Sequence, residues 1–231
     1  LCKLLKNRGV EPFCVLVRNP EKAKKMHEDL GVEVVSDYEK VLESDLTIIA
    51  VKDDAISDVA THLVDYKGLV VHTSGTKSSE LLNKSMRNGV FYPLQTISKE
   101  REFSFRDTPF LIYANSPDDV EFLSRFAKQF SNKVLFCDDE QRKVFHLVAV
   151  FVSNFTNVML GIGDKLLKKN GTSLDVVRPL VMEMMHKSFE ISPEQALTGP
   201  ARRGDFATIG EHEKMLSDSP EELAIYKIMT D

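Results

Sequence analysis

The chain has 231 residues, of which 42% are hydrophobic and 28% charged, and a formal net charge of −5. That is an ordinary globular composition, with room for one large domain or two smaller ones. No basic run points to nucleic acid, and no acidic or basic tail stands apart from the rest.

Three cysteines, Cys2, Cys14 and Cys137, stand far apart. They match no metal or redox spacing, so no metal site is expected, and an odd, sparse count fits a reducing compartment. No apolar run approaches the ~20 residues that cross a bilayer, and no leader-like segment opens the chain. The expectation is a cytoplasmic protein with no membrane partner.

In chain order, residues 1–9, LCKLLKNRG, read as the tail of an amphipathic helix stopped at Gly9. Short β-rich runs follow at 13–17, 46–51, 69–72, 110–113 and 134–136, with weaker ones at 32–35 and 90–92. Helical stretches separate them at 20–30, 55–63, 79–87 and 117–130. Near-continuous apolar strands alternating with helices predict a mostly parallel sheet covered on both faces. The helix at 20–30 is well marked: Asn19 suits the N-cap, Pro20 the first helical position and Gly31 the stop.

After residue 138 no convincing strand remains. Helices are predicted at 139–169, 174–189, 207–216 and 220–229. The expected architecture is therefore α/β followed by all-α, with domains at 1–138 and 139–231. A helix tail running at once into a strand matches the first helix and second strand of a dinucleotide-binding domain. A first strand and its G-x-G-x-x-G turn are then expected upstream of residue 1.

Six stretches carry candidate chemistry. In VRNPEK, 17–22, the strand ends in Arg18, with Asn19 next and Lys22 one turn on. An arginine there accommodates the 2′-phosphate of NADP, whereas an acid would bind the 2′-hydroxyl of NAD. A helix N-terminus adds to the attraction for phosphate. The bland alternative is a surface arginine beside a cap. In AVKDD, 50–54, Ala50, Val51 and Lys52 lie at a strand's C-terminal end, where open α/β sheets bind ligands. The alternative is a strand end followed by Asp54 as a cap.

In VHTSGTKSSE, 71–80, His72, Thr73, Ser74 and Gly75 form a polar loop that could face a nicotinamide or a substrate; a plain turn and cap is the alternative. In FYPLQTIS, 91–98, Pro93 breaks the strand and leaves Gln95 and Thr96 at its mouth. LTGPARRGD, 197–205, reads as a loop between helices, with Thr198, Gly199 and Arg203 placed to hold a substrate carboxylate or phosphate.

FHLVAVFVSNF, 145–155, sets His146, Ser153 and Asn154 in an apolar helix. On an ideal helix Ser153 and Asn157 fall about 20° from the line of His146, and Asn154 about 80° from it. Buried polar groups are costly unless paired. Such a stripe reads better as a cleft wall between two domains than as dry core, although a satisfied core histidine stays open. His146 is the candidate acid or base, Asn154 the group that orients a carbonyl or imine, and Ser153 its support.

HTSG at 72–75, FYPLQT at 91–96, FHLVAVFVSNF and LTGPARRGD, in this order, resemble the Rossmann-like oxidoreductases that carry a helical C-terminal domain of unknown function. These are distant relatives of pyrroline-5-carboxylate reductase, ketopantoate reductase and prephenate dehydrogenase. The resemblance covers essentially the whole chain. It implies an N-terminal NAD(P)-binding domain and a helical domain that usually dimerises. By analogy with ketopantoate reductase-like enzymes, His146 and Asn154 match the spacing of an acid/base residue and an asparagine, with histidine in place of the lysine common there.

The expected activity is hydride transfer between NADP(H), or NAD(H), and the carbonyl or imine of a small anionic metabolite, in a homodimer. The alternatives are a non-catalytic NADP(H)-sensing dimer and a scaffold that binds no nucleotide.

Overall fold

The structure, a computed structural model, describes all residues except 1, 7, 8, 11, 13, 84, 85 and 99–103, with the backbone alone at 3 and 4. Two compact units emerge, Leu1–Ser153 and Asn154–Asp231. The division falls at Ser153, whereas the composition change in the sequence suggests 138. The first turns of the long helix are tied to the sheet by the contacts described below.

The first unit is α/β. After α1 (Cys2–Lys6), strands β1 (Val15–Leu16) and β2 (Val34–Val35) form a parallel pair, with α2 (Pro20–Leu30) between them in sequence. The side chain of Asn19 accepts the Lys22 N–H at 3.1 Å, and Gly31 ends α2 with a φ of +59°. Residue 13 of the first expected strand lies outside the described residues.

The main sheet has five strands in the order β3 (Leu46–Ile49), β4 (Leu69–His72), β5 (Asn88–Pro93), β6 (Phe110–Ala114), β7 (Val134–Phe136). All neighbours run parallel except β5 and β6. Gly89 stands where β5 meets β6 most closely: a Cβ there would come within 2.1 Å of the Tyr113 carbonyl oxygen.

The central strand β4 is buried on both faces, as the near-continuous apolar run requires. Leu69 and Val71 join Phe91, Phe110 and Phe130 in one core, with Leu123 and Ala127 from α4 (Pro117–Lys128). Val70 points the other way, into a core with Ile56 and Ala60 from α3 (Ile56–Thr61).

The helix expected at 79–87 is a single tight turn, Ser79–Leu81, in the described residues; residues 84 and 85 lie outside them. The amide of Asn88 donates to the carbonyls of Asn83 (3.1 Å) and Met86 (3.2 Å), pairing groups that a helix would otherwise have used.

Helix α5 (Asp139–Ala149) runs through wide π-helical turns at Val150–Phe155 into α6 (Thr156–Lys169). The whole segment Asp139–Lys169 has 31 residues and a stretch of mean hydropathy 1.6. By length and composition it is long and apolar enough to cross a membrane, which corrects the expectation that no run approaches that length. His146, Ser153 and Asn154 interrupt the run without lowering its average enough to matter.

The second unit is helical throughout: α6, α7 (Arg178–Ile191), α8 (Pro193–Ala196), α9 (Pro200–Arg203), α10 (Phe206–Met215) and α11 (Pro220–Thr230). The short helices α8 and α9 fall where the sequence reads as loop. Each is one turn, opened by a proline and too brief to show a hydrophobic period.

Candidate active site

The C-terminal ends of β3, β4 and β5 carry three of the stretches singled out in the sequence, AVKDD, VHTSGTKSSE and FYPLQTIS. Ala50, Val51 and Lys52 follow β3 and are exposed. Thr73 continues the ladder with its N–H donating to the Ile49 carbonyl at 3.2 Å.

The loop after β4 is held from within. The Ser74 hydroxyl donates to Asp53 at 2.9 Å and accepts the N–H groups of Thr76 (3.2 Å) and Lys77 (3.0 Å). The Thr76 hydroxyl reaches the same Asp53 oxygen at 3.0 Å. Asp53 therefore joins the end of β3 to the end of β4.

His72 is fully buried, and both of its ring nitrogens are engaged. Nδ1 accepts the Ser74 N–H at 3.1 Å, which leaves the proton on Nε2, 3.3 Å from the Ser78 carbonyl. Burial, and then the nearby Arg142 guanidinium, push its pKa down to about 4. The side chain of this candidate faces the interior; beyond it Thr73 is half-buried, and Ser74 and Gly75 are buried.

Helix α5 is anchored to this loop by its first turn. Asp138 caps the helix by accepting the Gln141 N–H at 2.8 Å, and the Gln141 side chain accepts the Asp138 N–H at 3.1 Å. Asp139 accepts the Ser78 hydroxyl at 2.5 Å and the Ser79 N–H at 3.2 Å. Burial works against its charged form, but the Ser78 hydroxyl and Arg142 outweigh that and hold the carboxyl below its ordinary value. Arg142 is wholly buried, donating to Asp139 at 2.7 Å and to the Lys77 carbonyl. Its Nε and Nη1 meet no acceptor among the described residues.

One turn further on, His146 is half-buried, with Nδ1 3.2 Å from the Tyr92 hydroxyl. Tyr92 is the penultimate residue of β5, and burial raises its pKa. Gly75 packs against both: a Cβ there would lie 2.5 Å from His146 Nδ1 and 3.0 Å from the Tyr92 ring. The structure thus brings together His146 with the HTSG loop and the FYP strand. Gln95 and Thr96 lie exposed just past that strand, with the Gln95 amide 3.5 Å from the Thr108 hydroxyl.

Ser153 is half-buried and closes the first unit. It lies in the π-helical turns, where the step of about 100° per residue no longer holds. The stripe drawn through His146, Ser153 and Asn157 on an ideal wheel therefore does not carry past Val150. Asn154, Thr198, Gly199 and Arg203 belong to the second unit; Asn154, Thr198 and Arg203 are exposed, and Gly199 is half-buried with a φ of +105°.

At the β1 end, Arg18, Asn19 and Lys22 are all exposed, and Arg18 pairs with Asp58 at 3.1 Å. An exposed guanidinium beside the start of an eleven-residue helix is a donor set suited to a phosphate.

Tyr92, Arg142, Asp139 and Asp53 escape a sequence reading. Tyr92 lies within a quoted motif but as an apolar strand residue. The D-x-x-Q spacing at 138–141 signals a capping box. Nothing local distinguishes Arg142 from a solvated helix face.

The geometry and topology define a Rossmann-like, mostly parallel sheet followed by a helical region. A domain of unknown function (DUF2520) matches residues 108–231, and the family described as NADP oxidoreductase coenzyme F420-dependent matches residues 1–74. The chain belongs to the family of proteins that carry the DUF2520 domain.

It is 37% identical to a protein from Bacteroides fragilis named putative NADP oxidoreductase, over 99% of this chain and 90% of that one, with a TM-score of 0.89. A Thermotoga maritima protein is 22% identical over 94% and 89% of the two chains, with a TM-score of 0.75. A pyrroline-5-carboxylate reductase from Coxiella burnetii shares the fold at 15% identity, 99% and 92% coverage and a TM-score of 0.59. No curated protein matches.

The buried neutral His72 makes stability pH-dependent. An unfolded histidine titrates near 6.5, so on acidification the unfolded chain takes up this proton first and stability falls from about pH 6.5 down to about 4. The full loss is roughly 3 kcal/mol at about 1.4 kcal/mol per pKa unit. Urea midpoints measured across this window should fall with pH in the natural chain and flatten in His72→Gln, whatever that variant's absolute stability.

Proposed function

We propose that the protein is an NADP(H)-dependent oxidoreductase that reduces, or in reverse forms, the carbonyl or imine of a small anionic metabolite in the cytoplasm. The observation that carries this reading is His146, half-buried and held against Gly75 and Tyr92 at the C-terminal ends of β4 and β5. In open α/β sheets that edge is where ligands bind. The family matches and the B. fragilis relative support the oxidoreductase class.

The bound nicotinamide supplies the hydride chemistry. Arg18 and the N-terminus of α2, with Asn19 and Lys22, would hold the ribose phosphate. Ala50, Val51 and the backbone of Thr73–Gly75 would border the rest. His146 would hold or release the proton that accompanies reduction. The sensing alternative shares the nucleotide site and dispenses with the role of His146.

The second unit supports a homodimer. Leu216 is its one buried apolar side chain among the described residues, while Leu180, Met182, Phe189, Phe206 and Met229 are exposed. A helical unit with so little core of its own needs a partner surface, and methionines suit an adaptable one.

Fluorescence titration should show tighter binding of NADPH than of NADH. Because Asp58 already holds the Arg18 guanidinium, Arg18→Ala should weaken NADPH by about 1.5 kcal/mol, the low end for a charge-assisted bond, and NADH by much less. Asp58→Asn should shift NADPH binding the other way. Equal affinities for the two nucleotides count against the assignment.

His146→Asn should leave nucleotide affinity and folding nearly intact while turnover, in a screen of carbonyl and imine acids, falls by roughly 10²–10⁴-fold. Undiminished turnover removes His146 from the chemistry. Sedimentation at micromolar concentration should give a species of twice the 26.1 kDa chain mass; a monomer refutes the dimer.

A further inference from the structure

We propose that Tyr92 fixes the imidazole of His146 in the tautomer that carries its proton on Nε2, and that Gly75 is a glycine because this pair fills the space of a side chain. The geometry stands independently of the reaction. Its catalytic use rests on the oxidoreductase reading.

The hydroxyl of Tyr92 lies 3.2 Å from His146 Nδ1, and the two rings are 6.2 Å apart. Gly75 closes the same edge, since an added Cβ would sit 2.5 Å from Nδ1 and 2.9 Å from Cγ. Among the described residues Tyr92 is the only hydrogen-bond partner of His146. Two proton arrangements satisfy that contact: the phenol donates to a bare Nδ1, or Nδ1–H donates to the phenol oxygen.

The chemistry of the two groups decides between them. A phenol, with an ordinary pKa of about 10, is a stronger donor than a neutral imidazole N–H, and a bare imidazole nitrogen is a stronger acceptor than a phenol oxygen. The charges of Arg142 and Asp53 act on the Tyr92 hydroxyl in opposite senses. Burial keeps the phenol protonated. The phenol therefore donates, Nδ1 accepts, and the proton stays on Nε2, directed away from the edge that Tyr92 and Gly75 occupy. That nitrogen can donate to a carbonyl or imine. Tyr92 is thus a positioning residue.

The protein contains one reference for this state and one control. His72 is held as the Nε2–H tautomer by the Ser74 N–H at 3.1 Å. His212 meets the Tyr226 hydroxyl at 2.8 Å within the second unit and has no glycine pressed against it, since a Cβ at Gly210 would meet nothing.

The test is ¹⁵N-histidine NMR on the full chain, on the high-pH plateau, with His146 assigned by its loss in His146→Gln. His146 should show the Nε2–H pattern of His72. In Tyr92→Phe the ratio of Nε2–H to Nδ1–H at His146 should fall about two- to tenfold, the span of one hydrogen bond's net contribution, with His72 and His212 unchanged. A tyrosine that only packs leaves the ratio where it was, because phenylalanine keeps the ring.

An Nδ1–H pattern in the natural chain, or an unchanged ratio in Tyr92→Phe, overturns the proposal. If Tyr92→Phe loses the His72 pattern and so has unfolded, Gly75→Ala takes its place. Its Cβ must displace the imidazole, and an unchanged His146 ratio there is equally fatal. An NADPH titration on the same samples separates the two ideas: absent binding sinks the oxidoreductase reading and leaves the tautomer result standing.

Discussion

Arg142 carries a full charge into the interior, and the carboxylate that meets it is Asp139, three residues back on the same helix. A buried ion pair gains little net stability, but breaking one by removing a partner costs roughly 3–5 kcal/mol. The pair is therefore better understood as fixing position than as supplying stability. Asp139 also takes the Ser78 hydroxyl, and Arg142 takes the Lys77 carbonyl, so both ends of the pair grip the segment after β4. These contacts fix the start of α5 against that segment. His146, one turn further on, inherits that placement, and so does the contact of its ring with Tyr92 and Gly75.

Much of the fold is legible in the sequence because its signals are local. The cap at Asn19, the prolines that open α2 and α4, and the apolar runs at β4 and β7 each fix an element from a few neighbouring residues. The segment at 79–87 is harder. Its composition suits a helix, but Asn88, from the strand that follows, takes the backbone carbonyls of Asn83 and Met86. A tertiary contact overrides the propensity.

The candidate site divides the same way. Glycine-containing loops and strand ends are visible as motifs. The pairings Tyr92–His146, Ser78–Asp139 and Ser74–Asp53 join residues 54, 61 and 21 positions apart, and no periodicity reports on them. The wide turns at Val150–Phe155 are equally invisible, since they change the step of the helix without any proline to announce it. A helical wheel is a statement about α-helix geometry, and it lapses where that geometry does.

The segments that follow β4 and β1 differ in how firmly they are held. The loop after β4 is bound to itself and to Asp53 by four hydrogen bonds involving Ser74 and Thr76, and to α5 through Ser78 and Ser79. A single methyl group at Gly75 would collide with the His146 imidazole. At the β1 end, among the described residues, the ion pair is Arg18–Asp58, with both side chains more than half exposed. Such a pair is worth at most about 1 kcal/mol, so a phosphate can take the guanidinium from Asp58 at small cost. Arg18 thus has a single weak, exchangeable partner among the described residues, whereas His146 stands on a helix whose first turn is tied to the loop after β4 by several hydrogen bonds.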